Sequence, residues 1–128
     1  MPTRTAAIAL TALAIVVAPV SAASAAKYSG KSEQSRPVDF KVKGGKVKGF
    51  VAGVNLFCIG RGIEFNAAIP PRPMKLKKGG KFSYKGDDKQ GQASLEISGK
   101  VKGKNASGTV SMTRSGCSGT AKWTAKRK

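Results

Sequence analysis

Histidine is missing from this chain and acid nearly so. Its 128 residues hold 24 Lys+Arg against 6 Asp+Glu, and no His. Without imidazole there is no Ser-His-Asp triad, no Cys-His pair and no histidine-based metal or proton chemistry. Aromatics are also scarce, at five Phe, two Tyr and one Trp. A single-strand nucleic-acid groove, which presents several stacking rings among its cations, has little to be built from. Two cysteines permit one intramolecular bridge, and without histidine they make a poor metal site. After the first 26 residues no apolar run reaches the roughly 20 residues that a membrane-crossing helix needs.

The amino terminus has a different composition. Arg4 supplies a positive start, Ala6 to Ala18 run apolar apart from Thr11, Pro19 ends the run, and Ser21 to Ala26 are all small. This is the pattern of a secretory signal peptide, with Ala23-Ser24-Ala25 as the cleavage match. Residues 1–25 are therefore expected to be a signal peptide, too short in their apolar part for an anchor. Loss of Arg4 leaves 23 basic against 6 acidic residues, a charge of +17. Export places the protein outside the cell or in the cell envelope, in an oxidising compartment. A Cys58–Cys117 disulfide is expected there, worth about 4 kcal/mol on the chain-entropy model.

The exported part reads as all-β. Val38, Phe40 and Val42 alternate with Asp39, Lys41 and Lys43, and Gly44-Gly45 offers a two-residue turn. That turn sets Lys43 opposite Lys46, Lys41 opposite Lys48, Val42 opposite Val47, Phe40 opposite Gly49 and Val38 opposite Val51. From Phe50 to Cys58 the apolar set shifts by one residue, which predicts a bulge at Gly49. Ile63, Phe65, Ala67 and Ile69 are expected inward on the next strand. Pro70, Pro71 and Pro73 mark a crossing or an edge. A three-residue loop at Lys78-Gly79-Gly80 would pair Met74 and Leu76 with Tyr84 and Phe82. Ala93 to Val101 alternate over the longest stretch, and Ala121, Trp123 and Ala125 line the last strand. The sum is a single small antiparallel β-sandwich or barrel of about eight strands over residues 37–128, with residues 26–36 a loose polar lead-in.

Gly80-Lys81-Phe82-Ser83, Ile97-Ser98-Gly99-Lys100-Val101, Ala106-Ser107-Gly108-Thr109, and Cys117 and Gly119 with Trp123-Thr124-Ala125 resemble a group of small exported proteins of high-GC Gram-positive bacteria. The likeness covers most of the exported chain. It implies the fold and the export, and since the group has no established activity it carries over no catalytic residue.

The residues themselves point away from catalysis. Asp39, Glu64 and Glu96 alternate outward on their strands, where a charge is normally solvated, and Asp87-Asp88 reads as a turn rather than a cation site. Neither a cofactor nor a metal is expected. Lysine is the informative residue. Lys41 and Lys43, Lys46 and Lys48, Lys75 and Lys77, and Lys100 and Lys102 each stand two apart, on the outer face of their strand. A soluble surface explains some of them, but it is better served by interspersed charges of both signs. These eight lysines are the expected contact for an anionic polymer or surface: teichoic acid, acidic polysaccharide, anionic lipid headgroups or nucleic acid. The competing expectation is a protein-interaction domain, of inhibitor or adhesin type, whose loops carry specificity and whose charge only steers the encounter.

Overall fold

A computed structural model describes residues 25–128, so the expected signal peptide lies outside the described residues except for Ala25. Nine strands follow: β1 (Ala26–Ser32), β2 (Pro37–Lys43), β3 (Lys46–Cys58), β4 (Gly62–Ala68), β5 (Met74–Lys75), β6 (Lys81–Asp87), β7 (Ser94–Lys102), β8 (Asn105–Arg114) and β9 (Cys117–Arg127). They lie in the order β4-β3-β2-β1-β9-β8-β7-β6, every pairing antiparallel. Beyond the tip of the β1–β2 hairpin, β3 meets β9 directly through Phe57–Ser118 and Cys58–Cys117. β1, β2, β3 and β9 thereby close into a small barrel, and the remaining strands extend it. β5 joins the start of β3, and Lys77 bridges to Lys81 at the head of β6. The architecture is all-β with a closed barrel, and Cys58 and Cys117 are disulfide-bonded.

Alternation fills the interior. Phe40, Phe50, Phe82 and Trp123 form one ring cluster, all six centroid distances falling between 5.8 and 6.4 Å. Tyr28 stacks on Phe40 at 5.1 Å and donates its hydroxyl to Gly103 O. Two of these rings need bare backbone beneath them. Phe82, Gly99, Gly108 and Trp123 are successive partners across β6, β7, β8 and β9. A Cβ on Gly99 would stand 2.8 Å from Trp123 Cζ2, and one on Gly108 would collide with Ser98 O. The glycines let the rings lie flat against the sheet. The indole Nε1 of Trp123 has no hydrogen-bond partner among the described residues.

The Gly44-Gly45 turn forms as expected, with φ of 62° and 74° and Lys43 facing Lys46. Several expectations are corrected. Residues 26–36 are not a loose lead-in, because Ala26–Ser32 is β1, hydrogen-bonded on both sides between β2 and β9. Val38 pairs with Ala52 rather than Val51, since the bulge falls opposite Phe40 and advances the register by one. Met74 pairs with Val47 of β3, and only Lys77 returns to β6. The sequence reading of Gly103 to Gly108 as the connection to Val110 is also corrected, since residues 105–108 belong to β8. The largest change concerns β4. Ile63 and Phe65 are 62% and 51% exposed, and Ala67 is exposed with them. β4 pairs only with β3, so its apolar face looks outward, while Glu64 and Asn66 face Arg114.

Candidate functional site

Each strand that carries lysines in the sequence pattern presents them to solvent, and the pairings join them into a circuit. Lys27 of β1 faces Lys41 of β2, which faces Lys48 of β3. Lys46, two residues back on β3, lies between Lys43 of β2 and Lys75 of β5. Lys77, two residues beyond Lys75, faces Lys81, which faces Lys100 of β7. Lys102 faces Asn105 of β8, Asn105 faces Lys126 of β9, and Lys126 faces Ser29, two residues from Lys27. The path returns to its origin. Neighbours across a ladder stand about 5 Å apart and neighbours along a strand about 7 Å, so the girdle is a dense ring of positive charge.

The girdle occupies one end of the barrel. The Gly44-Gly45 and Gly103-Lys104 turns, the Lys78–Gly80 helical turn, the start of β1 and the end of β9 all lie at that end. Every lysine except Lys31, Lys85, Lys89 and Lys122 belongs to it. The carboxylates lie elsewhere. Glu33, Glu64, Asp87, Asp88 and Glu96 sit in or beside the loops of the opposite end. Asp39 comes nearest to the girdle and accepts a 2.6 Å hydrogen bond from Ser29 Oγ. Among the described residues the one ion pair is Arg114–Glu64 at 3.8 Å, so no lysine of the girdle is neutralised by a side chain.

Between β1, β9, β8 and β7 the outer surface sinks into a groove of about 690 Å³. Lys31, Lys100, Lys102 and Lys126 border it, and Ser29, Ser107, Thr124 and Asn105 supply hydroxyl and amide groups. These groups can grip an anionic oxygen by charge and hydrogen-bond to neighbouring hydroxyls.

All eight lysines singled out in the sequence are exposed and lie on the girdle: Lys41, Lys43, Lys46, Lys48, Lys75, Lys77, Lys100 and Lys102. Sequence reasoning placed Lys126, with Lys122, on the outer face of the last strand but outside the expected contact, and it missed Lys27 and Lys81 of the girdle and Lys31 at the groove. The alternation test would have found Lys27 and Lys31, since Lys27, Ser29 and Lys31 alternate with Tyr28, Gly30 and Ser32. Lys81 enters only through its pairings with Lys77 and Lys100, and the place of Lys126 in the ring comes from its pairing with Asn105 and Ser29. Asp88 and Glu33 are held by backbone amides. Asp88 Oδ1 accepts from the Gln92 and Ala93 amides and closes its loop, and Glu33 Oε1 accepts from Lys122 N. No helix of the described residues is long and apolar enough to cross a membrane. Comparison with known proteins found no matching family model, no matching curated protein and no matching solved structure.

Proposed function

We propose that this chain is an exported, non-catalytic module that holds anionic polymers of the cell envelope or its surroundings on the lysine girdle. One observation carries this reading: the lysines close a ring round one barrel end, while all the carboxylates except Asp39 sit at the other. A surface charged for solubility alone has no reason to separate the signs, because segregation maximises self-repulsion at the crowded end. Lysine contributes a point charge rather than a planar fork, so the girdle selects for charge density over base or sequence identity. The hydroxyls and amide in the groove favour a polymer carrying both anionic and hydroxyl groups, such as a teichoic acid or an acidic polysaccharide. The disulfide between β3 and β9 suits an extracellular setting.

Titration with poly(glycerol phosphate) over a range of NaCl concentrations tests this. Affinity should fall log-linearly with salt, with a slope near the number of anionic groups contacted. Replacing Lys100, Lys102 and Lys126 by Gln should weaken binding by about tenfold or more and flatten that slope. Replacing Lys85, Lys89 and Lys122 by Gln removes the same charge from outside the girdle and should leave affinity within about twofold. Equal losses from both triple variants would reduce the effect to net charge. Salt-independent binding would favour the loop-centred protein contact.

A further inference from the structure

A second surface lies at the opposite end, and its character is the reverse of the girdle's. From Gly49 to Met74 the sequence has none of the chain's 18 lysines, and its cations there are Arg61 and Arg72. That stretch forms the β3–β4 hairpin. Its outward residues Phe57 and Ile63 are a direct cross-strand pair, 63% and 62% exposed. Phe65 stands beside them, and Ile59 at the turn is 87% exposed. β4 is also a free edge, paired with β3 alone. The other edge, β6, carries exposed Lys81, Lys85 and Asp87, charges of the kind that keep foreign strands off an edge. β4 has no such guard. Its single charge, Glu64, is matched by Arg114; Arg36 lies 4.4 Å over the Phe65 ring and donates to Asn55 Oδ1, and Arg61 at the turn donates to Ser115 O.

We propose that β4 pairs antiparallel with β4 of a second copy of this chain, forming a closed two-fold dimer. The occupant follows from charge and register. A molecule this basic repels its own copies, and the lysine-free edge, whose flanking Arg36 and Arg114 are already engaged by Phe65, Asn55, Glu64 and Asn66, is where two of them meet at least cost. A two-fold centred on Phe65 sets Phe65 opposite its equivalent, Ile63 opposite Ala67 and Glu64 opposite Asn66. Shifting the centre to Glu64 would oppose two carboxylates. A lipid surface fits less well. The girdle lies at the far end of the 13-residue β3, about 40 Å away, so an anionic bilayer could not meet the lysines and the hairpin tip together. In the dimer the two girdles face outward at opposite ends. On the polyanion reading above, this lets one chain of ligand engage both girdles with added avidity.

Sedimentation equilibrium without polyanion tests this, in about 0.5 M NaCl where long-range repulsion is screened. The purified protein should show a monomer–dimer equilibrium below about 300 μM, and Ile63→Lys should weaken association by about tenfold or more. Phe65→Cys, treated with a short bis-maleimide, should give a covalent dimer, whereas Ser83→Cys on β6 should not. A wild-type monomer throughout, open-ended oligomers, association unchanged by Ile63→Lys, or no cross-link through position 65 would each overturn the dimer. Monomers that bind anionic vesicles through Ile63 would reassign the hairpin to lipid. With no polyanion present, none of these outcomes bears on the girdle, and loss of polymer binding would not bear on the dimer.

Discussion

Gly108 and Gly44 are both glycines for physical reasons, and the reasons differ. A Cβ at Gly108 would meet Ser98 O and the Trp123 ring, inside a sheet that cannot move without disturbing the ring cluster. A Cβ at Gly44 meets nothing within 4 Å, and its cost is only that of a left-handed φ of 62°. Gly108→Ala should therefore destabilise by about 3 kcal/mol, the upper range for overpacking a core. Gly44→Ala should cost about 1–2 kcal/mol, the left-handed penalty for an L residue. Urea midpoints at unchanged slope measure both. Equal losses would mean that Trp123 does not lie against the β8 backbone. The cysteines add a covalent test at this scale. Alkylation without prior reduction should modify neither Cys58 nor Cys117, and replacing both with Ala should cost about 4 kcal/mol on the chain-entropy model.

Among the elements, the β2–β3 hairpin was legible from sequence because everything that fixes it is local. The turn glycines, the lysine alternation and the Val42–Val47 pair lie within a few residues, and the observed register agrees from the turn to Lys41–Lys48, before the bulge moves Val38 onto Ala52. β4 was equally visible as a strand, yet its faces were read the wrong way round. Alternation marks two faces without saying which is covered, and here the apolar one is left outside because no further strand lies over it. β1 was missed because glycine and serine dilute its pattern, although pairing on both sides makes it central. The girdle was half legible for the same cause. Lysine pairs along a strand show in the sequence, but Lys81 joins through Lys100, a partner far away in the chain. The hairpin supplies its own prediction. Lys46 faces Lys43 and Lys75, and Lys48 faces Lys41. Exchanging Lys46 and Lys48 for Glu turns three like-charge pairs into favourable ones, each worth tenths of a kcal/mol up to about 1. The double variant should melt several degrees higher and elute from an anionic-polymer column at lower salt. A lower melting temperature would refute the register. A higher one with unchanged elution would remove this part of the girdle from the binding surface.

For the whole molecule, separated charge makes stability and binding respond to salt in opposite directions. The girdle crowds lysines at about 5–7 Å with Asp39 the one carboxylate at its border, a repulsion that the folded state concentrates and the unfolded chain relaxes. The Debye length is about 30 Å at 0.01 M salt and about 8 Å at 0.15 M, so added NaCl screens that repulsion first between the more distant lysines. Melting temperature should rise as NaCl goes from about 10 mM to about 300 mM, by a few degrees for each kcal/mol relieved. Affinity for poly(glycerol phosphate) should fall over the same range. Polymer itself should then act as a second route to stability at low salt, raising the melting temperature in proportion to its binding and losing that effect as salt displaces it. Three charge-removing substitutions in the girdle should flatten both curves together, because one cluster of lysines causes both. Substitution of Lys85, Lys89 and Lys122 should leave both nearly unchanged. A melting temperature that falls with salt would show that attractive pairs dominate the fold, contrary to the spacing of Glu33, Glu64, Asp87, Asp88 and Glu96 away from the girdle.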